Sequence, residues 1–421
     1  MLERTVPVLF VAVTATVASA QPTPTPAAPT PAPAAELEAE PEPAVEEPAP
    51  AEPAPIAPAV TAEPAEPAAT VTATAGEAPA RWYDAIEVNG FASVAFTYNT
   101  NRPAEKENQL RAFDTDDGNV NVDVIELVIQ KAASDPGQAG FRVDLTAGSS
   151  IPAAAASAGL FRDADGNAQD FDLQQGFVSY IAKAGKGLRI DAGKFVTHMG
   201  YELIEGYDGY NDNYSRSILF GFAIPFTHTG VKLSYPLTDK ITGMLMVANG
   251  WDNVKDNNDG KTFGAQLVGT FGKVTGYLNY VGGPEQDGNN GNFRHVLDLV
   301  VTAAVNDKVS LGFNADYGFE KDAVMGGDAT WAGAALYAKL AATDALSVAA
   351  RAEIFDDADG VRTGAPQRLI EATISPALKL GDNFVLRGDV RFDTSDEESY
   401  MTDDGTSKQQ LTLAVNAIGI L

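Results

Sequence analysis

Residues able to do chemistry are sparse in this chain. Gly260-Lys261-Thr262 ends like a phosphate-cradling loop, but the first glycine of such a loop would fall on Lys255, and a strand pattern follows instead of a helix. The run RDADGNAQDFD spaces Asp163, Asp165 and Asn167 like the first ligands of a calcium loop. Its glycine stands at the fourth position instead of the sixth, and Gln174 sits where a bidentate glutamate is needed. Acidic turn chemistry explains the run, so no metal is expected. His198 and His228 border one long candidate loop, yet no serine–histidine–acid arrangement is readable from spacing. There is no cysteine, which removes thiolate nucleophiles, disulfides and sulfur-ligated metals. Neither an enzyme nor a cofactor is expected.

What remains is a set of charges repeated at every second residue. In 383–393, Arg387, Asp389, Arg391 and Asp393 alternate with Phe384, Leu386, Val390 and Phe392. In 345–355, Arg351 and Glu353 oppose Leu346, Val348 and Ile354, and Arg142 and Asp144 oppose Phe141, Val143 and Leu145. A period of two belongs to strands. The pattern predicts sixteen of them, near 85–98, 119–131, 139–148, 171–182, 187–198, 226–236, 240–250 and 261–271, then 273–282, 293–305, 308–319, 330–341, 345–356, 368–380, 383–394 and 408–421. Segments 171–182 and 240–250 alternate poorly, through bulges or a misread register.

The connections alternate too. AGKG at 183–186, Thr238-Asp239, Gly272, Asn306-Asp307, Thr343-Asp344 and Gly381-Asp382 read as tight hairpin turns. Between them lie long Asp/Asn/Gly-rich stretches at 99–118, 149–170, 199–225, 251–260, 283–292, 320–329, 357–367 and 395–407. The expected fold is all-β: a membrane-spanning, antiparallel up-and-down barrel of about 16 strands. Its charges face a wet lumen and its apolar side chains face lipid, since a charge at the lipid midplane costs roughly 2–4 kcal/mol. Trp82, Tyr83, Trp251 and Trp331 at strand ends suit an aromatic belt.

Residues 1–20 read as a signal peptide, with the apolar stretch VPVLFVAVTATV and small residues Ala18-Ser19-Ala20. Residues 21–80 hold sixteen of the 25 prolines, ten glutamates and no Lys or Arg, so a disordered, extended periplasmic linker is expected. Residues 81–421 are then the barrel. Net charge is −28, which makes nucleic acid an unsuitable partner. Without signal and linker, 46 acidic residues stand against 28 basic ones.

Several segments carry a resemblance: NGFASVAFTYNTNRPAEKENQLRAFD, GQAGFRVDLTAGS, GKFVTHMGYE and DNYSRSILFGFAIPFTHTGVKLSY. Together they resemble the OmpL-like β-barrel porin family of the outer membrane, over roughly residues 85–421. The resemblance implies a pore for small solutes. One departure is the ending Ile420-Leu421, where such strands commonly finish on an aromatic residue.

In sixteen-stranded porins the loop placed like 199–225 folds inward. By that analogy, Glu202, Glu205, Asp208 and Asp212 would line a constriction opposite a basic ladder of Arg142, Arg189, Arg351, Arg387 and Arg391. Charges separated across a narrow aqueous gap set up a transverse field. SILFGFAIPF, the loop's second half, is apolar enough to pack against a wall.

The expected function is passive diffusion of small hydrophilic solutes across the bacterial outer membrane, with ion transport of modest cation preference and both termini periplasmic. Two alternatives remain open: a substrate-specific channel, or a structural or adhesive envelope protein tethered by its Pro-rich segment. Outer-membrane lipid is the expected surrounding. A homotrimer and a peptidoglycan contact through residues 21–80 are further expectations.

Overall fold

The computed structural model describes residues 81, 83–155, 160–161 and 167–421. The expected signal, the Pro/Glu-rich linker, Trp82, Asp163 and Asp165 lie outside the described residues.

All sixteen expected strands form. They begin with β1 (Glu87–Asn99), β2 (Val120–Lys131), β3 (Ala139–Ala147), β4 (Phe171–Ala182), β5 (Leu188–Val196) and β6 (Thr227–Pro236). β7 (Ile241–Ala248), β8 (Thr262–Phe271), β9 (Val274–Pro284), β10 (Phe293–Ala304) and β11 (Val309–Val324) follow. β12 (Gly327–Ala341), β13 (Leu346–Asp357), β14 (Gln367–Lys379) and β15 (Phe384–Ser395) precede a small hairpin, β16 (Tyr400–Met401) and β17 (Thr406–Ser407), and then β18 (Gln409–Ile420). Each barrel strand pairs antiparallel with its sequence neighbours, and β18 closes on β1 with Phe91 opposite Ile420. Closure leaves no open edge, so the ladder satisfies the strand backbone without water. Two one-turn helices, α1 (Ile151–Ala155) and α2 (Ile218–Phe222), sit in long connections.

The two faces separate as the alternation requires. In β15, Arg387 and Arg391 are 0% exposed, whereas Val390 and Phe392 are 48% and 41% exposed. Tight turns are made where glycine permits positive φ: Gly272 and Gly381 have φ of 65° and 75°.

Three expectations need correction, and the weak alternation of β4 finds its cause. The connection 320–329 is not a long loop; β11 and β12 run on until Val324 pairs with Gly327, because Gly326 at φ 108° lets the chain reverse there. Trp251 and Trp331 are not belt residues: they are 7% and 1% exposed and meet edge to face within the buried core. The inward face is also not uniformly polar. Met244 and Met246 of β7, with Val281 and Val296, turn into the barrel and join that core, which is why β7 shows no alternation. In β4 the weak alternation is a bulge: Asp144 pairs with Gln175 and Leu145 with Leu173, so Gln174 is the extra residue.

Candidate functional site

The long connection between β5 and β6 enters the barrel, and its sequence supplies the reason. Its second half has apolar side chains that water does not suit. Ser217 caps α2, accepting the Phe220 N–H at 2.9 Å. The Glu353 carboxylate of β13 accepts the free N–H groups of Ile218 and Leu219 at 2.7 and 3.0 Å. Ile218, Leu219 and Phe220 are buried with Ala223 and Ile224 in the same cluster as Trp331, Phe355 and Leu369. Each such side chain contributes roughly 1.5–3 kcal/mol. The Trp331 indole N–H donates to the Ala223 carbonyl at 3.0 Å, which locks the end of the helix to β12.

Close packing there makes a prediction. A Cβ on Gly318 would lie 1.9 Å from Cε2 of Trp331, so Gly318→Ala must push the indole off Ala223. The expected cost is about 1–3 kcal/mol. Gly276→Ala, whose Cβ would meet nothing within 4 Å, is the comparison. Urea titration of the vesicle-folded barrel checks both; equal midpoints would refute the packing argument.

The loop's first half is held by charge. Glu202 meets Arg351 at 2.7 Å, and Arg351 also takes Glu371 at 3.0 Å and the Ser215 carbonyl at 2.6 Å. Glu205 sits between Arg387 at 2.8 Å and Arg216 at 3.4 Å. Burial alone would raise the Glu205 carboxyl, but the two guanidiniums outweigh it and hold it below the ordinary carboxylate range. Asp208 pairs with Arg142 at 2.6 Å, while Arg142 also holds Asp144 at 2.8 Å. Asp389 accepts the backbone N–H groups of Tyr214 and Ser215 at 3.0 and 3.2 Å.

The predicted residues thus divide. Three arginines of the ladder, Arg142, Arg351 and Arg387, each hold a loop carboxylate. Arg391 instead pairs with Asp393 at 2.8 Å and donates to the Arg216 carbonyl of the loop. Arg189 stays with its wall neighbour Asp191 at 3.0 Å. Asp212 reaches Lys339 of β12 at 2.7 Å, a partner the sequence reading did not single out. Glu202, Glu205, Arg351, Arg387 and Arg391 are buried in these contacts. Accessible side chains remain on Asp208 (56%), Arg189 (32%) and Lys339 (24%).

Sequence reasoning missed two loop arginines. Arg111 bridges Asp114 at 2.7 Å and Asp393 at 2.6 Å, and Arg216 joins Glu205. Both lie in aperiodic segments, so no repeat marked them. Glu371 carried a signal, since it continues the inward set of β14.

The family model for beta-barrel porin-2, OmpL-like, matches residues 85–420. The comparison with curated proteins returned no match. Among solved structures the chain is similar to the anion-selective porin from Comamonas acidovorans, at TM-score 0.54 and 13% identity, covering 80% of this chain and 99% of that one. It is similar to the outer membrane channel DcaP of Acinetobacter baumannii at TM-score 0.53 and 10% identity, covering 80% and 97%. OmpT of Vibrio cholerae in its trimer form matches at TM-score 0.53 and 10% identity, covering 80% and 99%. At such identity these likenesses establish the fold alone.

Proposed function

Because this chain belongs to the beta-barrel porin-2, OmpL-like family, we propose that it is a general diffusion porin passing small hydrophilic solutes without chemistry. Its place is the bacterial outer membrane, as the family implies. The observation behind the reading is the sorting of faces: buried charged side chains on β2, β3, β5, β10, β11, β13, β14 and β15 turn inward, an apolar belt turns outward, and the connection between β5 and β6 packs inside the barrel. Accessible Asp208, Asp212, Arg189 and Lys339 would meet passing solutes, and the largely buried Arg142 with the buried Glu202, Glu205, Arg351, Arg387 and Arg391 would hold the constriction in place. Swelling of liposomes holding the purified barrel, in sugars of graded size, tests this. Uptake that ignores solute size, or no uptake, would overturn it.

The proposal includes a modest cation preference. Exposed acids crowd the long-loop rim, among them Glu105, Glu107, Asp259, Asp396, Glu397 and Asp403. A negative mouth concentrates cations, and accessible Arg189 and Lys232 inside oppose it. The expected result is a reversal potential of cationic sign in a planar bilayer under a KCl gradient, weakening as salt screens the rim. An anionic sign refutes it. Short turns and termini facing the periplasm, a homotrimer, and a peptidoglycan contact through residues 21–80 complete the proposal.

A further inference from the structure

Most inward cations of the barrel are buried in its own contacts, but two neighbours on the short-turn half of the bore are not. Arg189 lies near the start of β5 and Lys232 in the second half of β6. The register sets Asp191 opposite Lys232 and Arg189 opposite Ser234. Val231 and Leu233 face outward, so Lys232 and Ser234 face the bore. The two cations are thus diagonal neighbours across the ladder, a spacing that long side chains span. Their side chains remain 32% and 24% accessible.

One acid serves both. The buried Asp191 takes the Arg189 Nε at 3.0 Å and the Ser179 hydroxyl at 2.6 Å, while the Lys232 ammonium stands 3.9 Å away. That leaves one positive charge in excess, and donors as well. Arg189 gives its Nε to Asp191 and its Nη2 to Ser179 at 3.1 Å; its Nη1 has no acceptor among the described residues. Nor has the Lys232 ammonium, which lies over the Phe195 ring at 4.7 Å, nor the Ser234 hydroxyl. The other accessible cation differs, because Asp212 matches Lys339 one to one at 2.7 Å. Arg142 lies between Asp144 and Asp208.

A recess of one charge sign raises the local concentration of ions of the other sign. Ammonium and guanidinium groups make their strongest hydrogen bonds to the oxygens of carboxylates and phosphates. An anion with two or three oxygens can accept one donor each from Lys232, Arg189 and Ser234. We propose that these three side chains form a subsite in the bore for the carboxylate or phosphate group of a small solute. The subsite rests on the diffusion reading for its supply of solutes, and adds to it the class of solute held on the wall. The acidic long-loop rim acts at the opposite end of the strands, on ions that enter there.

The test uses the full-length chain, folded in detergent, with inorganic phosphate and succinate as probes. Expected is saturable broadening of the phosphate phosphorus resonance, or of the succinate proton resonance, beyond that given by empty micelles. Lys232→Gln should raise the half-saturating concentration about fivefold, since it removes one partly wet charge contact. Lys232→Arg, which keeps the charge, should hold it near the unaltered value. Lys186→Gln, in an exposed turn, should leave it unchanged. Saturation by phosphate alone assigns a phosphate solute and by succinate alone a carboxylate one; either supports the subsite. Should Lys232→Gln not fold, Arg189→Gln is read in its place. No saturable broadening in the unaltered chain, or equal half-saturation in Lys232→Gln and Arg189→Gln, overturns the proposal. Single-channel recording of the same preparation keeps the two readings apart: binding without any current defeats diffusion and leaves the subsite standing.

Discussion

Arg387→Ala should free the inward loop and give a larger, noisier single-channel conductance than the unaltered barrel. Arg387 is fully buried and holds both oxygens of Glu205, at 2.8 and 3.1 Å, together with Oδ1 of Asn416 and the Asn211 carbonyl. Its guanidinium also lies against the Tyr210 and Tyr214 rings, at 5.8 and 5.6 Å. Removing it leaves Glu205 with Arg216 as its remaining cation, at 3.4 Å. Breaking such a buried pair costs about 3–5 kcal/mol. Sixteen closed strands keep their ladder without the loop, so the loss falls on the loop's attachment. Arg189→Ala, which touches no loop acid, should shift stability by about 1 kcal/mol or less. Unchanged conductance in Arg387→Ala would refute the clamp.

The same contact fixes a pH response. Glu205 titrates below its ordinary value, so the stability it lends is full above the ordinary carboxylate range and is lost as pH falls through the lowered value. Acid should therefore loosen the loop only below that range. In Arg387→Ala the onset should move to higher pH.

Ile374→Arg is expected to cost about 2–4 kcal/mol, because it places a charge near the middle of a lipid-facing strand. Ile374 is 57% exposed, sits midway along β14 and pairs with outward Val390. Thr302→Arg, on the half-buried inward side of β10, should change stability by only about 0.5 kcal/mol. Urea-dependent folding into vesicles measures both. If Thr302→Arg were the costlier change, the faces would be assigned the wrong way round.

Much of the fold was legible because alternation is written into each strand alone. Phe384 and Arg387 fall on opposite faces whatever the rest of the chain does, and the count of sixteen follows from repeating that reading. Legibility failed where both faces carry one kind of side chain. Met244 and Met246 needed a core to point at, and that core exists because α2 enters the bore. The hairpin at Met325-Gly326 was hidden behind Asp and Gly residues that read equally as loop.

The site was legible in kind but not in pairing. Arg351 with Glu202 and Arg387 with Glu205 join members of the two predicted sets, yet Asp212 found Lys339, the unlooked-for Arg111 ties the first long connection to Asp393 of β15, and Arg216 braces the inward loop from within.

The order of residues by itself determined where most strands run and, wherever one face is charged and the other apolar, which side chains go inward, because the pleat sets direction within two residues. Tertiary structure alone decided which charge meets which, and left Arg189 and Lys232 one acid between them. Partners come from inter-strand register and the path of a long loop, and both are settled only when the barrel closes.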